Sequence, residues 1–533
     1  MSSIMTEDWI EVEIGEVANI YNGNSINAQV KEKKYKNLKD GYNYIGTKDV
    51  AFDAVVDYEN GVKIPFENES FKIAPKGCVL VCSEGGSAGR KTAYIEQDIC
   101  FGNKLYAITD EFNILEGKYL FYYSRFRKFF DDFKNQMNGI IGGVSTNKFA
   151  EIKFPLAPLP IQRAIISKTE ALFSDLENGI ANFKKAQAQL KIYRQAVLKK
   201  AFEGELTKVW REKQTNLPTA EALLKQIKEE RQNHYNQQIE DWKKAVKVWE
   251  KNGKAGKKPS KPTQPKELPP LQKEDLEELS NLPTGWKWEK IGLNFLSLDQ
   301  GWSPKCENYP AKIEEWGVIK TTAVQANSFE EINNKKLPLK LSPRIQHELV
   351  KGDILITRAG PRNRVGVCCL VNNVRSKLIN CDKVYRIKAI VSNPTFIVYM
   401  LNSPAFSKEL EKTKSGISDS GVNLKQDVFL KMPVPLCSLQ EQNQIVQEIE
   451  FRLSVCDKME QSIIESIEKA EVLRQSILKK AFDGRLLSQA EIELCKTAAD
   501  YEPTSQLLKR IQAEKLAKEQ EKKKPTVKKK SKK

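Results

Sequence analysis

The chain is short of the residues from which metal centres and nucleophilic triads are built. It has two His, His234 and His347, in 533 residues, too few for histidine-rich zinc ligation and without a matched Ser or Cys setting for a triad. Its 10 Cys follow no framework spacing: Cys368 and Cys369 are adjacent, Cys78 and Cys82 lie four apart, and the rest are scattered. That usage reads as reduced core thiols, not a disulfide scaffold. No run approaches the ~18 apolar residues of a membrane span. Met1–Tyr21 carries Glu7, Asp8, Glu11, Glu13 and Glu16 where a signal peptide needs an apolar stretch. The expected location is the cytoplasm, with no membrane partner.

Acidic excess is also missing. Lys+Arg 86 against Asp+Glu 69 gives +17 at pH 7, which disfavours an acidic metal-buffering class and leaves polyanion partners open. The charge is unevenly placed. Residues 515–533 hold ten Lys and two Glu, and residues 251–266 hold six Lys and no acid. These segments carry +8 and +6, leaving about +3 of the +17 for everything else. Such tracts usually form solvated, disordered arms, so any DNA-reading claim must rest on the folded part. At 40% hydrophobic the length allows three or four domains of roughly 150 residues.

What the sequence does have is a duplication with an offset near 280 residues. Tyr193-Arg-Gln-Ala-Val-Leu-Lys-Lys-Ala-Phe-Glu-Gly-Glu-Leu206 recurs as Leu473-Arg-Gln-Ser-Ile-Leu-Lys-Lys-Ala-Phe-Asp-Gly-Arg-Leu486. Upstream, Leu159-Pro-Ile-Gln162 aligns with Leu439-Gln-Glu-Gln442, Trp9 and Gly15 with Trp286 and Gly292, and Lys76-Gly77 with Lys351-Gly352. Downstream, Pro218-Thr219, Leu223-Leu224 and Ile227 are echoed by Pro503-Thr504, Leu507-Leu508 and Ile511. The period is too long for a solenoid of short units. The chain is a tandem of two large modules, each a variable globular part followed by a more similar helical part.

The helical parts show apolar residues at 3–4 spacing. One run is Ile165, Thr169, Leu172, Leu176, Ile180, Phe183, Ala186, Leu190, Tyr193, Val197 and Ala201. The other is Ile445, Ile449, Leu453, Cys456, Met459, Ile463, Ile467, Ala470, Leu473, Ile477 and Ala481. Neither contains Pro, and Gly204 and Gly484 follow where a helix should stop. Stripes this long predict two helices that bury each other as a coiled coil, the alternative being that each packs on its own globular part. The globular parts carry strand-like runs at residues 78–82, 104–108, 353–357 and 383–387, with short helices near 117–130 and 394–401. Residues 208–282 read as a linker: a charged helix over about 219–250, then an extended Pro/Lys-rich stretch.

Enzyme signatures are damaged or missing. Asn393-Pro394-Thr395-Phe396 is similar to the Asn-Pro-Pro-Tyr/Phe loop of adenine methyltransferases, but the second Pro is absent and no Gly-rich strand–turn–helix stands upstream. It reads better as a helix start, with Asn393 as cap and Pro394 at the first position. In Gly85-Gly-Ser-Ala-Gly-Arg-Lys-Thr92, Arg90 separates Gly89 from Lys91, so phosphate-loop spacing fails. The chain is expected to be non-catalytic. Polar and basic loops say more. After one strand come Ser83, Ser87, Arg90 and Lys91; after its counterpart come Thr357, Arg358, Arg362, Asn363 and Arg364. A second pair, Gly142–Lys148 and Gly421–Lys425, precedes each long helix. Any one loop taken alone is more often a solvated turn. Recurrence at equivalent places with different side chains favours recognition of two different short DNA sequences, since Arg suits guanine and Asn adenine.

Residues 193–207 and their copy at 473–487, the starts of the helical parts at Pro158–Gln162 and Leu439–Gln442, and the Gly301-Trp-Ser-Pro304 turn resemble the specificity subunit of Type I restriction–modification systems. The resemblance spans nearly the whole chain. It implies an α+β fold: two mixed α/β target-recognition domains separated by two long helices pairing as an antiparallel coiled coil. The domains would be 1–157 and 283–436. The helical regions would be 158–207 and 437–487, with 208–282 as linker and 488–533 as helical extension and Lys-rich disordered tail. Each recognition domain would read one half of a bipartite asymmetric site in double-stranded DNA, and the helices would set the spacer. The implied DNA contacts are Ser83, Ser87, Arg90, Lys91, Lys104, Ser145, Asn147 and Lys148 in one domain. In the other they are Thr357, Arg358, Arg362, Asn363, Arg364, Lys383, Asn423 and Lys425. Two methyltransferase subunits would bind at Arg194, Gln195, Lys199, Phe202, Arg474, Gln475, Lys479 and Phe482. The chain itself would hold no cofactor or metal. S-adenosylmethionine, ATP and Mg would belong to the methyltransferase and restriction subunits. Two departures from symmetry stand out: Gly23-Asn-Ser-Ile26 replaces Gly-Trp-Ser-Pro in the first half, and Pro160-Ile161-Gln162 lacks the Glu of Glu441-Gln442. A two-module coiled-coil scaffold for protein partners remains the alternative.

Overall fold

Each half opens on a strand that is closed by one from just before its long helix. Ile10–Glu13 pairs antiparallel with Lys153–Leu156, and Lys287–Lys290 with Pro433–Leu436. The closing strands carry Pro155, Pro433 and Pro435, which suits two-stranded ribbons where a missing N–H costs little. The computed structural model describes residues 9–67, 70–137, 142–264, 267–277, 279–416 and 418–522.

Inside each ribbon lies a four-stranded antiparallel sheet with the same order in both halves. In the first it runs Ala18–Asn22, Leu105–Asp110, Val79–Cys82, Thr92–Tyr94. In the second it runs Phe295–Gln300, Val384–Ala389, Ile354–Thr357, Cys368–Leu370. The strands Val79–Cys82 and Ile354–Thr357 are buried along their whole length, because both faces of the sheet are covered. Val79 and Val81 face a core with the helix Gly117–Ser124, while Leu80 and Cys82 face another with Ile45, Ile99 and Phe101. Ile354 and Ile356 divide from Leu355 in the same way. A second small sheet, built around the parallel pair Tyr42–Ile45 with Ile99–Phe101 and its counterpart Gly317–Ile319 with Leu378–Ile379, forms that further layer. All ten Cys are free, eight of them buried. Burial pushes the Cys78 and Cys369 thiols up to about 12, so they behave as core side chains.

Four longer helices follow: α1 (Leu159–Phe202), α2 (Ala220–Lys251), α3 (Leu439–Phe482) and α4 (Thr504–Lys522). α1 and α3 both have 44 residues. They stop by the same device. Gly204 and Gly484 sit at φ +75° and +72°. Each donates to the carbonyl three back, while the next N–H reaches Lys200 or Lys480, a cap that a side chain at Gly would strain.

By contacts the chain forms two units, Met1–Lys184 with Ile463–Lys533, and Lys185–Ser462. Within the second unit, the end of α1 packs on the start of α3: Val197, Leu198, Ala201 and Phe202 share a core with Ile445, Val446 and Ile449. Arg194 pairs with Asp457 at 2.7 Å and Glu460 at 3.0 Å, and Gln187 meets Glu460 at 3.5 Å. Within the first unit, Ile161, Ile165 and Ile166 at the start of α1 share a core with Leu478, Ala481 and Phe482 at the end of α3, and Arg474 holds Glu177 at 2.8 Å. Later positions of one helix therefore meet earlier ones of the other: the pair is antiparallel. Both readings of the stripes hold, since the helices touch each other and their ends enter the globular cores. Tyr193, Met459 and Leu473, placed in the stripes by spacing, are exposed instead.

The segment read as a linker holds more than a spacer. Ala220, Leu223, Leu224 and Ile227 of α2 bury against Ile390 and Leu436, and Arg231 Nη2 donates to the Phe295 carbonyl at 2.7 Å. α4 does the same in the first unit, with Leu507 and Ile511 buried and Lys515 Nζ donating to the Gly15 carbonyl at 3.2 Å. The last part of the Lys-rich tail, 523–533, lies outside the described residues.

Candidate nucleic-acid interface

The two loop pairs that the sequence lists far apart are brought side by side in each unit by the same four hydrogen bonds. In the first, Ser83 N–H donates to the Lys104 carbonyl at 2.9 Å and Val144 N–H to the Ser83 carbonyl at 3.0 Å. Tyr106 Oη closes the group by donating to the Val144 carbonyl at 2.7 Å, and Gly89 N–H donates to Cys82 at 2.8 Å. In the second, Arg358 N–H donates to Lys383 at 2.9 Å, Leu424 N–H to Arg358 at 2.8 Å and Gly366 N–H to Thr357 at 2.8 Å. Tyr385 Oη donates to the Leu424 carbonyl at 2.9 Å. Gly89 and Gly366 have φ +66° and +96°, and a Cβ there would meet the Phe133 ring at 2.5 Å or Leu410 Cδ2 at 2.0 Å. Only glycine lets the loop double back under the helix that covers it.

One backbone scaffold thus presents two different sets of side chains. In the first unit Arg90, Lys104, Ser145 and Asn147 are exposed, and Ser87, Lys91 and Lys148 half-buried. Arg90 and Lys91 lie over the Phe52 ring at 5.0 and 5.2 Å, and Lys91 Nζ also donates to the Thr47 carbonyl. Lys104 pairs with Glu84 at 2.9 Å, which holds its ammonium charged to higher pH than usual. Ser145 caps the short helix Thr146–Ala150. In the second unit Asn363, Lys383, Asn423 and Lys425 are exposed. Arg358 is half-buried, 5.6 Å over the Tyr385 ring, with Nη1 donating to Gln300 and to the Asp382 carbonyl, both at 3.2 Å.

Several sequence expectations need correction. Ser83 is 5% exposed and Thr357 0%; Thr357 ends a buried strand and Ser83 directly follows one, so both side chains are withdrawn from the surface. Arg364 spends its guanidinium on the chain itself, donating to the Thr321 and Val324 carbonyls at 2.9 and 2.6 Å and to Gln325 at 3.0 Å. Arg362 is held by Glu411 and Asp419, which raise its pKa. These two arginines fasten the loop. Phe202 and Phe482, expected on a partner surface, are each 6% exposed. Phe482 lies among Tyr119, Tyr123 and Phe126 at 5.2, 5.1 and 6.1 Å, and Phe202 against Phe396 at 5.3 Å. Gln475 is occupied by the backbone of Arg125 and Arg127, and Arg194 and Arg474 by the ion pairs above. They recur because both halves solve the same packing problem. Gln195, Lys199 and Lys479 are exposed.

Spacing arguments missed an apolar pair beside these residues. Ile192 and Tyr193 are 69% and 44% exposed, and Val472 and Leu473, at the equivalent place of α3, 70% and 48%. Two adjacent apolar residues on a helix cannot both face one narrow stripe, which was the available signal. Asn393 behaves as expected, its Oδ1 accepting from Thr395 and Phe396 N–H at 2.8 and 3.2 Å at the start of Pro394–Leu401. No His/Cys/Asp/Glu group suited to a metal ion occurs among the described residues, and no described helix is long and apolar enough to cross a membrane.

Residues 6–183 match the model of the Type I restriction modification DNA specificity domain. Those residues carry the Type I DNA specificity domain, and nearly the whole chain is similar to Type I specificity subunits. It is 42% identical over 195 residues to the EcoEI specificity subunit of Escherichia coli, a match covering 36% of this chain and 32% of that protein. Against the EcoKI specificity subunit of Escherichia coli strain K12 identity is 24% over 530 residues, 96% of this chain and 97% of the relative. The fold is likewise that of the HsdS subunit from Thermoanaerobacter tengcongensis, with TM-score 0.51 at 16% identity over 90% of this chain and 98% of the other. A chain from a structure of complex assembly and conformational transition of the type I R-M system gives TM-score 0.58 at 16% identity, covering 90% and 99%.

Proposed function

We propose that this specificity subunit reads a bipartite, asymmetric DNA site, one half through each recognition domain, and that it performs no chemistry itself. The observation that carries this reading is the single loop scaffold used twice with different surfaces, Arg90, Ser145 and Asn147 in one case and Arg358, Asn363 and Asn423 in the other. Paired antiparallel helices without internal Pro make a stiff spacer, so the gap between half-sites follows helix length. Two methyltransferase subunits dock on the exposed faces around Ile192, Tyr193, Gln195 and Lys199 and around Val472, Leu473 and Lys479. Equivalent apolar surfaces on two halves suit two copies of one partner. S-adenosylmethionine and the ATP and Mg of restriction subunits belong to those partners.

Arg358 tests the reading. Its tether through Gln300 and Tyr385 aims a guanidinium from the loop, and Arg358→Ala is expected to cost about 1–3 kcal/mol on target DNA and to relax one base position. Lys425→Ala is expected to weaken all duplexes alike, as a phosphate contact does. Duplex libraries bound by the chain with its methyltransferase partner, then sequenced, separate the two outcomes. Equal loss on every sequence for Arg358→Ala would remove it from base readout. Failure of the unaltered chain to bind any duplex would favour the protein scaffold.

A further inference from the structure

Residues 240–261 contain eight Lys and three acids, Glu240, Asp241 and Glu250, and all eight lysines are exposed. A run of this kind is ordinarily a solvated arm without shape. Here it is folded back on α2. The helix ends in a turn with Gly253 and Gly256 at φ +70° and +77°, and the following stretch returns along it. Trp249 Nε1 donates to the Gly256 carbonyl at 3.2 Å and Trp242 Nε1, two helical turns earlier, to the Pro259 carbonyl at 3.0 Å. Lys258 and Lys261 lie 5.9 Å over those same two rings. Lysines from the helix and from the returning segment are thereby gathered on one rod. Among the described residues, Lys243 and Lys244 pair with Glu240 at 2.7 Å and Asp241 at 3.8 Å. The remaining six lysines have no ion pair there.

The root of the rod adjoins the reading loops of its own unit. Arg231 and Tyr235 of α2 line an open cleft of about 790 Å³ together with Gln426 and Lys431. The helix Gln426–Lys431 begins at the residue after Lys425, the end of the second recognition loop. We propose that residues 220–264 form an arm that grips the phosphates of duplex DNA flanking the half-site read by residues 283–436, without reading its sequence. The inference rests on the DNA-reading role above.

The chemistry favours duplex phosphate over other polyanions. Residues 240–264 contain no Arg, the side chain suited to bidentate base contacts, and Lys offers a point charge that any phosphate satisfies. Each indole is held by its hydrogen bond and carries a lysine over its ring, so neither offers the free platform on which single-strand binders stack unpaired bases. An acidic protein surface is the remaining rival, and the test includes it.

The test uses the full chain with Lys247, Lys251, Lys254 and Lys257 all changed to Gln. Binding is measured over a range of salt, on a duplex with the site methylated in the source genome and on a scrambled duplex. Each lost phosphate contact removes about 0.9 from the slope of log K against log salt, so a drop of about 2–4 is expected on both duplexes. Affinity at low salt is expected to fall about 10-fold or more on both, with the target-over-scrambled ratio unchanged. Changing the same four residues to Arg should restore the slope, which separates charge from damage to the fold. An unchanged slope, with the unaltered chain still discriminating the two duplexes, overturns the arm and leaves the reading role intact. A changed ratio would make the arm a sequence reader and overturns it too, as does an intact slope with lost methyltransferase capture. An unaltered chain that binds neither duplex overturns both.

Discussion

Replacing Glu441 by Ala is expected to destabilise the unit Lys185–Ser462 by about 3–5 kcal/mol, because it strands a buried cation. The Glu441 carboxylate is 1% exposed. It accepts from Arg211 Nε, Thr207 Oγ1 and Trp286 Nε1, each at 2.8 Å. Its own N–H donates to Ser438 Oγ in the first turn of α3 at 3.2 Å, where the helix end also favours an anion. Arg211, 16% exposed, has no other carboxylate partner among the described residues. The other half shows an alternative solution. There Ile161, 1% exposed, occupies the equivalent position in an apolar core. Hence the double change Glu441→Ile with Arg211→Leu is expected to recover part of the loss, since the stranded charge is gone. Denaturant midpoints of the three chains by tryptophan fluorescence measure this. A loss under about 1 kcal/mol for Glu441→Ala would mean that the carboxylate holds no buried charge.

Phe482→Ala is expected to cost about 3–5 kcal/mol, the range for emptying an aromatic site in a packed core. The ring is enclosed by Tyr119, Tyr123 and Phe126, so its loss opens a cavity between the end of α3 and the helix Gly117–Ser124. The same substitution distinguishes core from docking surface. If Phe482 faced a partner subunit, stability would stay within about 0.5 kcal/mol and assembly alone would fail. The expected outcome is a lowered denaturation midpoint for the isolated chain.

These two residues mark the boundary of what was legible before the structure. The duplication was visible as letters, and from it followed two long helices, their Gly stops and the equivalence of the globular parts. The strands at 78–82 and 353–357 were visible as apolar runs between glycines. The role of each repeated residue was not visible, because identity between halves reports a shared environment without saying whether that environment is core or surface. Phe202 and Phe482 recur because each is buried in the core of its own unit, Phe482 among three aromatic rings and Phe202 against Phe396. Arg362 and Arg364 look like readers in one dimension, whereas in the fold they face Asp419, Glu411 and the Thr321–Gln325 turn, all more than 35 residues away. Charge partners at such separations have no sequence signal. The packing of α2 was half legible: the Leu223-Leu224-Ile227 echo of Leu507-Leu508-Ile511 announced a buried first turn, but its charged remainder suggested a solvated linker.

The central claim is that one scaffold, written twice, reads two unlike half-sites. Exchanging residues 1–157 for the corresponding domain of another specificity subunit, followed by methylome sequencing of cells carrying the hybrid, tests it most directly. The expected methylated motif has one new half, one retained half and an unaltered spacer. A motif in which both halves change, or neither does, would contradict it.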